Sequence, residues 1–144
     1  MAKGVGFDFR ISPHFLQVGL GYGGSCFPKD LNSLIIYTAN SKQVSVPILQ
    51  AVQSINSTQV DLYIKKNRNH LKDPSSNRRT ILGVSFKPNT DDTRDSLAVT
   101  LIEKLIPLDY EVHVYDPIAL LPYHEKNKLH NILNWNLLLQ IRIL

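Results

Sequence analysis

Thr80-Ile81-Leu82-Gly83-Val84-Ser85-Phe86 is a short run of apolar and β-branched residues, and it reads as a buried strand. Ser96 to Ile106 follows as a helix stopped by Pro107. Glu111-Val112-His113-Val114-Tyr115 alternates like a second strand and ends at Asp116-Pro117. Two strands joined through a helix over this distance form a βαβ unit. Such a unit requires a parallel sheet, because parallel neighbours need a long crossover. Beyond Leu120 the pattern fades, and Asn131 to Leu144 is apolar without a clear period.

Upstream of the βαβ unit, Asp73-Pro74-Ser75-Ser76-Asn77 is rich in turn formers and marks a linker. The expected division is a helical part at 1–72, a linker at 73–78 and an α/β part at 79–144. Ser45-Val46-Pro47 opens a long helix expected to run to about His70. Ile48, Val52, Ile55 and Leu62 put an apolar stripe on it. Either a second copy of the chain covers that stripe, or it packs on a shorter helix expected over Lys29 to Asn40.

The chemistry concentrates between these elements. Gly19-Leu20-Gly21-Tyr22-Gly23-Gly24-Ser25 holds four glycines within six positions. Glycine is used where the backbone needs positive φ or must approach another group closely. Cys26, Phe27 and Pro28 follow, with Pro28 in the first turn of the shorter helix. A cysteine at a helix N-terminus faces free N–H groups and a partial positive charge, a setting that favours the nucleophilic thiolate. Lys29 and Asp30 lie close enough in sequence to share its face. The residues alone leave two readings open, a covalent catalyst and a buried structural thiol beside a flexible loop.

The bulk numbers set limits. The chain of 144 residues has 16 Lys plus Arg against 12 Asp plus Glu, a net charge of +4. The basic residues are scattered, as on solvated faces. An anionic ligand such as a nucleotide phosphate is the sharper alternative. Nothing has the pattern of a nucleic-acid reader. One cysteine excludes an internal disulfide, and no cluster suggests a metal. No stretch reaches the roughly 20 apolar residues of a membrane span, and the start is not a signal peptide. The expected compartment is the cytoplasm.

Gly21-Tyr22-Gly23-Gly24-Ser25-Cys26-Phe27-Pro28-Lys29-Asp30 resembles the active-cysteine signature of the UDP-glucose/GDP-mannose dehydrogenase family. Arg10-Ile11-Ser12-Pro13-His14-Phe15-Leu16 looks like the segment before it. Leu82-Gly83-Val84-Ser85-Phe86-Lys87-Pro88-Asn89-Thr90-Asp91-Asp92-Thr93-Arg94-Asp95-Ser96 resembles the opening of the family's C-terminal domain, and Tyr115-Asp116-Pro117 its second strand end. Phe27 after the cysteine looks like the UDP-glucose branch. The resemblance runs from about Lys3 to about Leu120. It implies an α/β protein with an all-α middle dimerisation domain followed by a partial Rossmann-like βαβ domain.

The resemblance also implies an NAD-dependent oxidoreductase of nucleotide-sugar metabolism. Such an enzyme converts UDP-glucose to UDP-glucuronate for polysaccharide synthesis, in two hydride transfers through a cysteine thiohemiacetal and thioester. By this likeness Cys26 is the nucleophile and Asp30 activates or orients water. Cys26, Phe27, Pro28, Lys29 and Arg94 lie at the NAD. Phe15, Leu16, Gln17, Val18, Gly19, Leu20, Gly21, Tyr22 and Gly23 cradle the sugar nucleotide, with Phe86 and Lys87 reaching it from the second domain. Arg10 points into the site of a neighbouring subunit, which implies a homodimer through the 47–70 helix. Relatives begin with a Rossmann domain bearing a G-x-G-x-x-G fingerprint, and their further catalytic lysine and asparagine precede the region matched here. Gly19, Gly21, Gly23 and Gly24 follow no strand and are not that fingerprint. The sequence therefore reads as an internal piece, expected to be inactive by itself. The alternatives are a non-catalytic dimerising or nucleotide-binding remnant, or a dehydrogenase of another nucleotide sugar.

Overall fold

The computed structural model describes residues 1–16, 19–70, 77–119 and 129–131. Its elements follow in order: helix α1 (Ala2–Val5), a 3-10 turn (Pro13–Leu16), α2 (Phe27–Tyr37) continued by a π-helical turn (Thr38–Lys42), and α3 (Pro47–His70). Then come strand β1 (Arg78–Leu82), α4 (Leu97–Leu105) with a 3-10 turn (Ile106–Leu108), β2 (Glu111–Tyr115) and β3 (Leu129–Asn131). The strands form one sheet in the order β1-β2-β3. Both pairings are parallel, with Thr80 opposite His113 and Val112 opposite Leu129. The βαβ reading therefore holds, and the structure adds β3, too short to carry a sequence signal of its own.

Two boundaries shift for local reasons. β1 starts two residues early and stops at Leu82, because Gly83 turns to φ +87° and takes the chain out of the strand. The chain then dives inward, leaving Val84 wholly buried. α2 stops being regular at Tyr37, where the Thr38 hydroxyl donates to the Leu34 and Ile35 carbonyls at 2.8 and 3.0 Å. A threonine bonding back onto the preceding turn loosens the α-helical ladder. A wider turn then ends at Gln43, in the left-handed region at φ 51°.

The core lies in the second half of the chain. Leu101, Ile102 and Leu105 of α4 meet Val112 and Val114 of β2, and Val60 and Ile64 of α3 join them. Ser96 caps α4 by accepting a hydrogen bond from the Ala98 N–H at 3.3 Å. Asp109 takes the left-handed φ of 70° that reverses the chain into β2; a short polar side chain tolerates it. α3 thus belongs to both parts of the molecule. Its last turns dock on the α/β core, held also by Lys104 Nζ to Asp61 Oδ1 at 2.6 Å and Arg68 Nε to the Tyr110 hydroxyl at 3.3 Å. Its first turns meet α2, where the Gln53 amide donates to Asn32. Ile48, Val52, Ile55 and Leu62 all remain exposed, at 78 %, 41 %, 60 % and 48 %. Val52 borders a shallow apolar pocket with Phe27 and Leu31 of α2, so the stripe touches that helix while staying largely exposed.

Leu101→Ala is expected to cost about 2–5 kcal/mol in urea unfolding, because it removes a buried side chain the core cannot replace. Glu103→Ala, at an exposed site on the same helix, should stay within about 0.5 kcal/mol of the parent in the same measurement.

Candidate functional site: a glycine loop closed from two sides

Cys26 is exposed and is the N-cap of α2. A buried structural thiol is thereby excluded. Its Sγ lies 3.7 Å from the Ser25 hydroxyl. Phe27 and Pro28 open the helix, and the Asp30 amide donates to the Cys26 carbonyl at 2.8 Å. Lys29 Nζ and Asp30 Oδ1 are 3.3 Å apart, both well exposed. An ion pair in that much water holds little energy, so both groups stay free to engage a ligand.

The glycine loop is gripped from both parts of the fold. On the helical side, the Asn56 carboxamide of α3 meets both peptide groups of Tyr22: the Tyr22 N–H donates to Asn56 Oδ1, and Asn56 Nδ2 donates to the Tyr22 carbonyl, each at 3.0 Å. The Tyr22 ring stands edge-on to that of Phe27, centroids 6.3 Å apart. On the α/β side, the Gly24 N–H donates to the Arg94 carbonyl at 3.0 Å. The glycines exist for this contact. A Cβ on Gly24, at φ +86°, would stand 2.7 Å from the Phe86 ring. One on Gly23 would strike the Asp95 carbonyl, and one on Gly21 would strike Asn56 and Leu97.

The facing loop, between β1 and α4, is self-braced. The Phe86 N–H donates to the Asp92 carbonyl at 3.0 Å. Asp92 also takes the Arg94 guanidinium as a fork, at 2.9 and 2.7 Å. The Arg94 hydrogen bonds hold the Asp92 carboxyl down to about 2. Arg94 stays largely exposed and lies within electrostatic reach of Cys26. Lys87 Nζ sits 5.3 Å above the Phe86 ring. Beneath the loop, Asp116 at the end of β2 acts as a hub. Its Oδ2 accepts from the Val84 N–H at 2.8 Å and, more weakly, from Ser85, while Oδ1 accepts from Ile118 and Ala119 at 2.9 and 2.8 Å. Burial alone pushes this carboxyl up, but the backbone donors together outweigh it and leave the group below its ordinary value.

Between the two loops opens a cleft of about 520 Å³. Gly19, Leu20, Gly21 and Gly23 form one wall, Phe86 and Lys87 another, and the N-terminus of α4 at Ser96 to Ala98 the end. A helix N-terminus and a lysine suit an anionic ligand. The structure therefore brings Gly19, Leu20, Gly21, Gly23, Phe86 and Lys87 to the cleft, while Tyr22 and Phe27 line a separate apolar pocket and Cys26 and Arg94 stand on the adjoining loop ends. Arg10 stands apart in the N-terminal segment, forked onto Asp8 at 3.0 and 2.7 Å. Leu16 ends the 3-10 turn. Gln17, Val18 and the side chain of Phe15 lie outside the described residues, as do most of the 73–78 linker and most of the chain after 119. Among the described residues no group of acidic, His and Cys side chains could hold a metal, and no helix is long and apolar enough to cross a membrane. Sequence reading missed Asn56 and Asp116. Asn56 sits in a polar helical stretch with no signal of its own, and Asp116 drew notice only as the end of a strand.

Two domain models of one family match the chain. The central domain of the UDP-glucose/GDP-mannose dehydrogenase family matches residues 1–58, and that family's UDP binding domain matches residues 80–139. The putative UDP-glucose 6-dehydrogenase YtcA of Bacillus subtilis is 51 % identical over 124 residues, covering 86 % of this chain and 29 % of the relative. The UDP-glucose 6-dehydrogenase YwqF of the same organism is 40 % identical, covering 83 % of this chain and 27 % of that protein. The structure of a UDP-glucose dehydrogenase from the hyperthermophilic archaeon Pyrobaculum islandicum superposes with a TM-score of 0.80 at 31 % identity, covering 96 % of this chain and 32 % of that one. This chain thus spans less than a third of the length of these relatives.

Asp116→Asn should destabilise the chain by about 1–3 kcal/mol at pH 7, since an amide nitrogen would face N–H donors. The pH dependence follows from the lowered carboxyl: the parent's contribution from Asp116 is complete above the ordinary value of 3.8 and is lost as pH falls through the folded one. Urea midpoints between pH 7 and pH 3 should fall more steeply for the parent than for Asp116→Asn.

Proposed function

We propose, from the premise that this chain belongs to the UDP-glucose/GDP-mannose dehydrogenase family, that it is the cysteine-bearing and UDP-binding portion of an NAD-dependent UDP-glucose 6-dehydrogenase. The observation that carries the reading is the exposed Cys26 at the start of α2, on a glycine loop that walls an anion-suited cleft. The diphosphate of the sugar nucleotide would lie in the cleft, against the glycine-loop amides and the α4 N-terminus, with Phe86 and Lys87 closing over it. The division into a helical part and an α/β part is retained as part of this proposal.

The chemistry then falls to Cys26 and Asp30. The Cys26 thiolate adds to the C6 aldehyde carbon of the half-oxidised sugar. A C–S bond forms, and the carbonyl oxygen becomes the hydroxyl of a thiohemiacetal. Loss of the C6 hydrogen with its electron pair to the hydride acceptor, and of the hydroxyl proton to water, leaves a thioester. Water, oriented by Asp30, attacks that carbon, and the C–S bond breaks to return Cys26 and release the carboxylate. NAD, when bound, supplies the acceptor for the hydride of each oxidation. Two exposed cations beside Cys26, Lys29 and Arg94, fit a pyrophosphate at this edge of the site. No dinucleotide fingerprint occurs in the sequence, so the 144 residues by themselves should produce no NADH from UDP-glucose above a Cys26→Ser control.

UDP should nevertheless bind the chain in titration calorimetry. Lys87→Ala should weaken it by several-fold, at about 1 kcal/mol for a charge-assisted contact. No heat from UDP, or equal heat from GDP, would remove the UDP-specific reading. The exposed stripe on α3 supports a homodimer through this helix. Sedimentation should show a dimer at micromolar concentration, and Val52→Asp should dissociate it, since a carboxylate is costly in an apolar seam. A folded monomer of the parent chain would refute the dimer.

A further inference from the structure

We propose that Asn56 is a positioning residue for the cysteine loop. Its carboxamide is the splint by which α3 sets the backbone that receives the nucleotide. The proposal rests on the functional reading above only for the identity of the ligand.

Asn56 lies mid-helix, where its type is a poor helix former and where no cap needs it. It is half-buried, and its amide is spent on one residue of another element. The Tyr22 N–H and carbonyl are a donor and an acceptor, and the carboxamide is their complement, as a neighbouring strand would be. Among the described residues no strand pairs with the loop, and Asn56 makes the two bonds that one would make. Gly21, just before, sits at φ +143° with no room for a Cβ beside Asn56 and Leu97. Gly21 also walls the cleft, while Tyr22 leads through its edge contact to Phe27, the residue after Cys26. One side chain therefore fixes both the wall that meets the ligand and the approach to the nucleophile. An aspartate of the same shape would accept from Tyr22 N–H but set a carboxylate against the Tyr22 carbonyl. An alanine would leave both peptide groups to water.

The test compares the parent chain, Asn56→Ala, Asn56→Asp and the exposed neighbour Ser57→Ala. Two measurements are made where circular dichroism is unchanged: amide hydrogen exchange of Tyr22 by NMR, and the dissociation constant of UDP. Asn56→Ala is expected to speed Tyr22 exchange and to weaken UDP, each by at least about ten-fold. Core amides such as Val112 should keep their rates, and Ser57→Ala should change neither quantity. A residue that merely stabilised the fold would move the unfolding midpoint and leave the affinity of the folded chain alone. Tyr22 exchange at the parent rate, or UDP affinity within about two-fold of the parent, overturns the proposal. If the parent itself fails to bind UDP, the functional reading falls, and Tyr22 exchange alone then decides on Asn56. Should Asn56→Ala not fold, Asn56→Leu, of similar size and able to make neither hydrogen bond, answers in its place, and parent-like Tyr22 exchange in that variant overturns the proposal equally.

Discussion

The docking of the last turns of α3 onto the α/β core is the contact on which the arrangement depends. Val60 and Ile64 are buried there, and Leu20 packs against the same core from the glycine loop. The helix is continuous over 24 residues, on the order of 36 Å at a rise of 1.5 Å per residue. A rod of that length fixes the placement of everything it carries. Asn56 lies one turn before Val60, so the same docking sets the height at which it meets Tyr22. The glycine loop is thus referenced to the sheet twice, through α3 and through Phe86 and Arg94.

That double reference explains the loop's composition. Most glycine-rich loops are read as flexible, yet here Gly21, Gly23 and Gly24 each face a neighbour from another element with no space for a side chain. The loop is a close-packed contact between two parts, and its glycines are a steric requirement. Cys26 follows it directly and remains open to solvent, which combines a fixed backbone with an accessible thiol.

Much of this was legible in the sequence. The βαβ unit showed in strand alternation and in Pro107, and the long helix in Pro47 and its stripe. The cysteine loop was legible both as composition and as a family resemblance. What stayed hidden was long-range. Asn56 reads as one polar residue among Gln53, Ser54, Ser57 and Thr58 until the fold brings Tyr22 to it, 34 positions away in the chain. Asp116 looks like a strand terminus until Val84 and Ser85 arrive from the loop that follows β1. The short β3 pairs because β2 offers an edge, which no local pattern announces.

The position of β1 in the sheet has a colloidal consequence. Among the described residues it pairs on one flank only, with β2. An unpaired row of peptide groups accepts any extended segment that reaches it, and an unrelated chain can compete with a native strand for the place. Arg78 and Arg79 open the strand, one facing Glu111 and the other lying over the Tyr110 ring. Cations placed on an edge strand discourage the stacking of like edges.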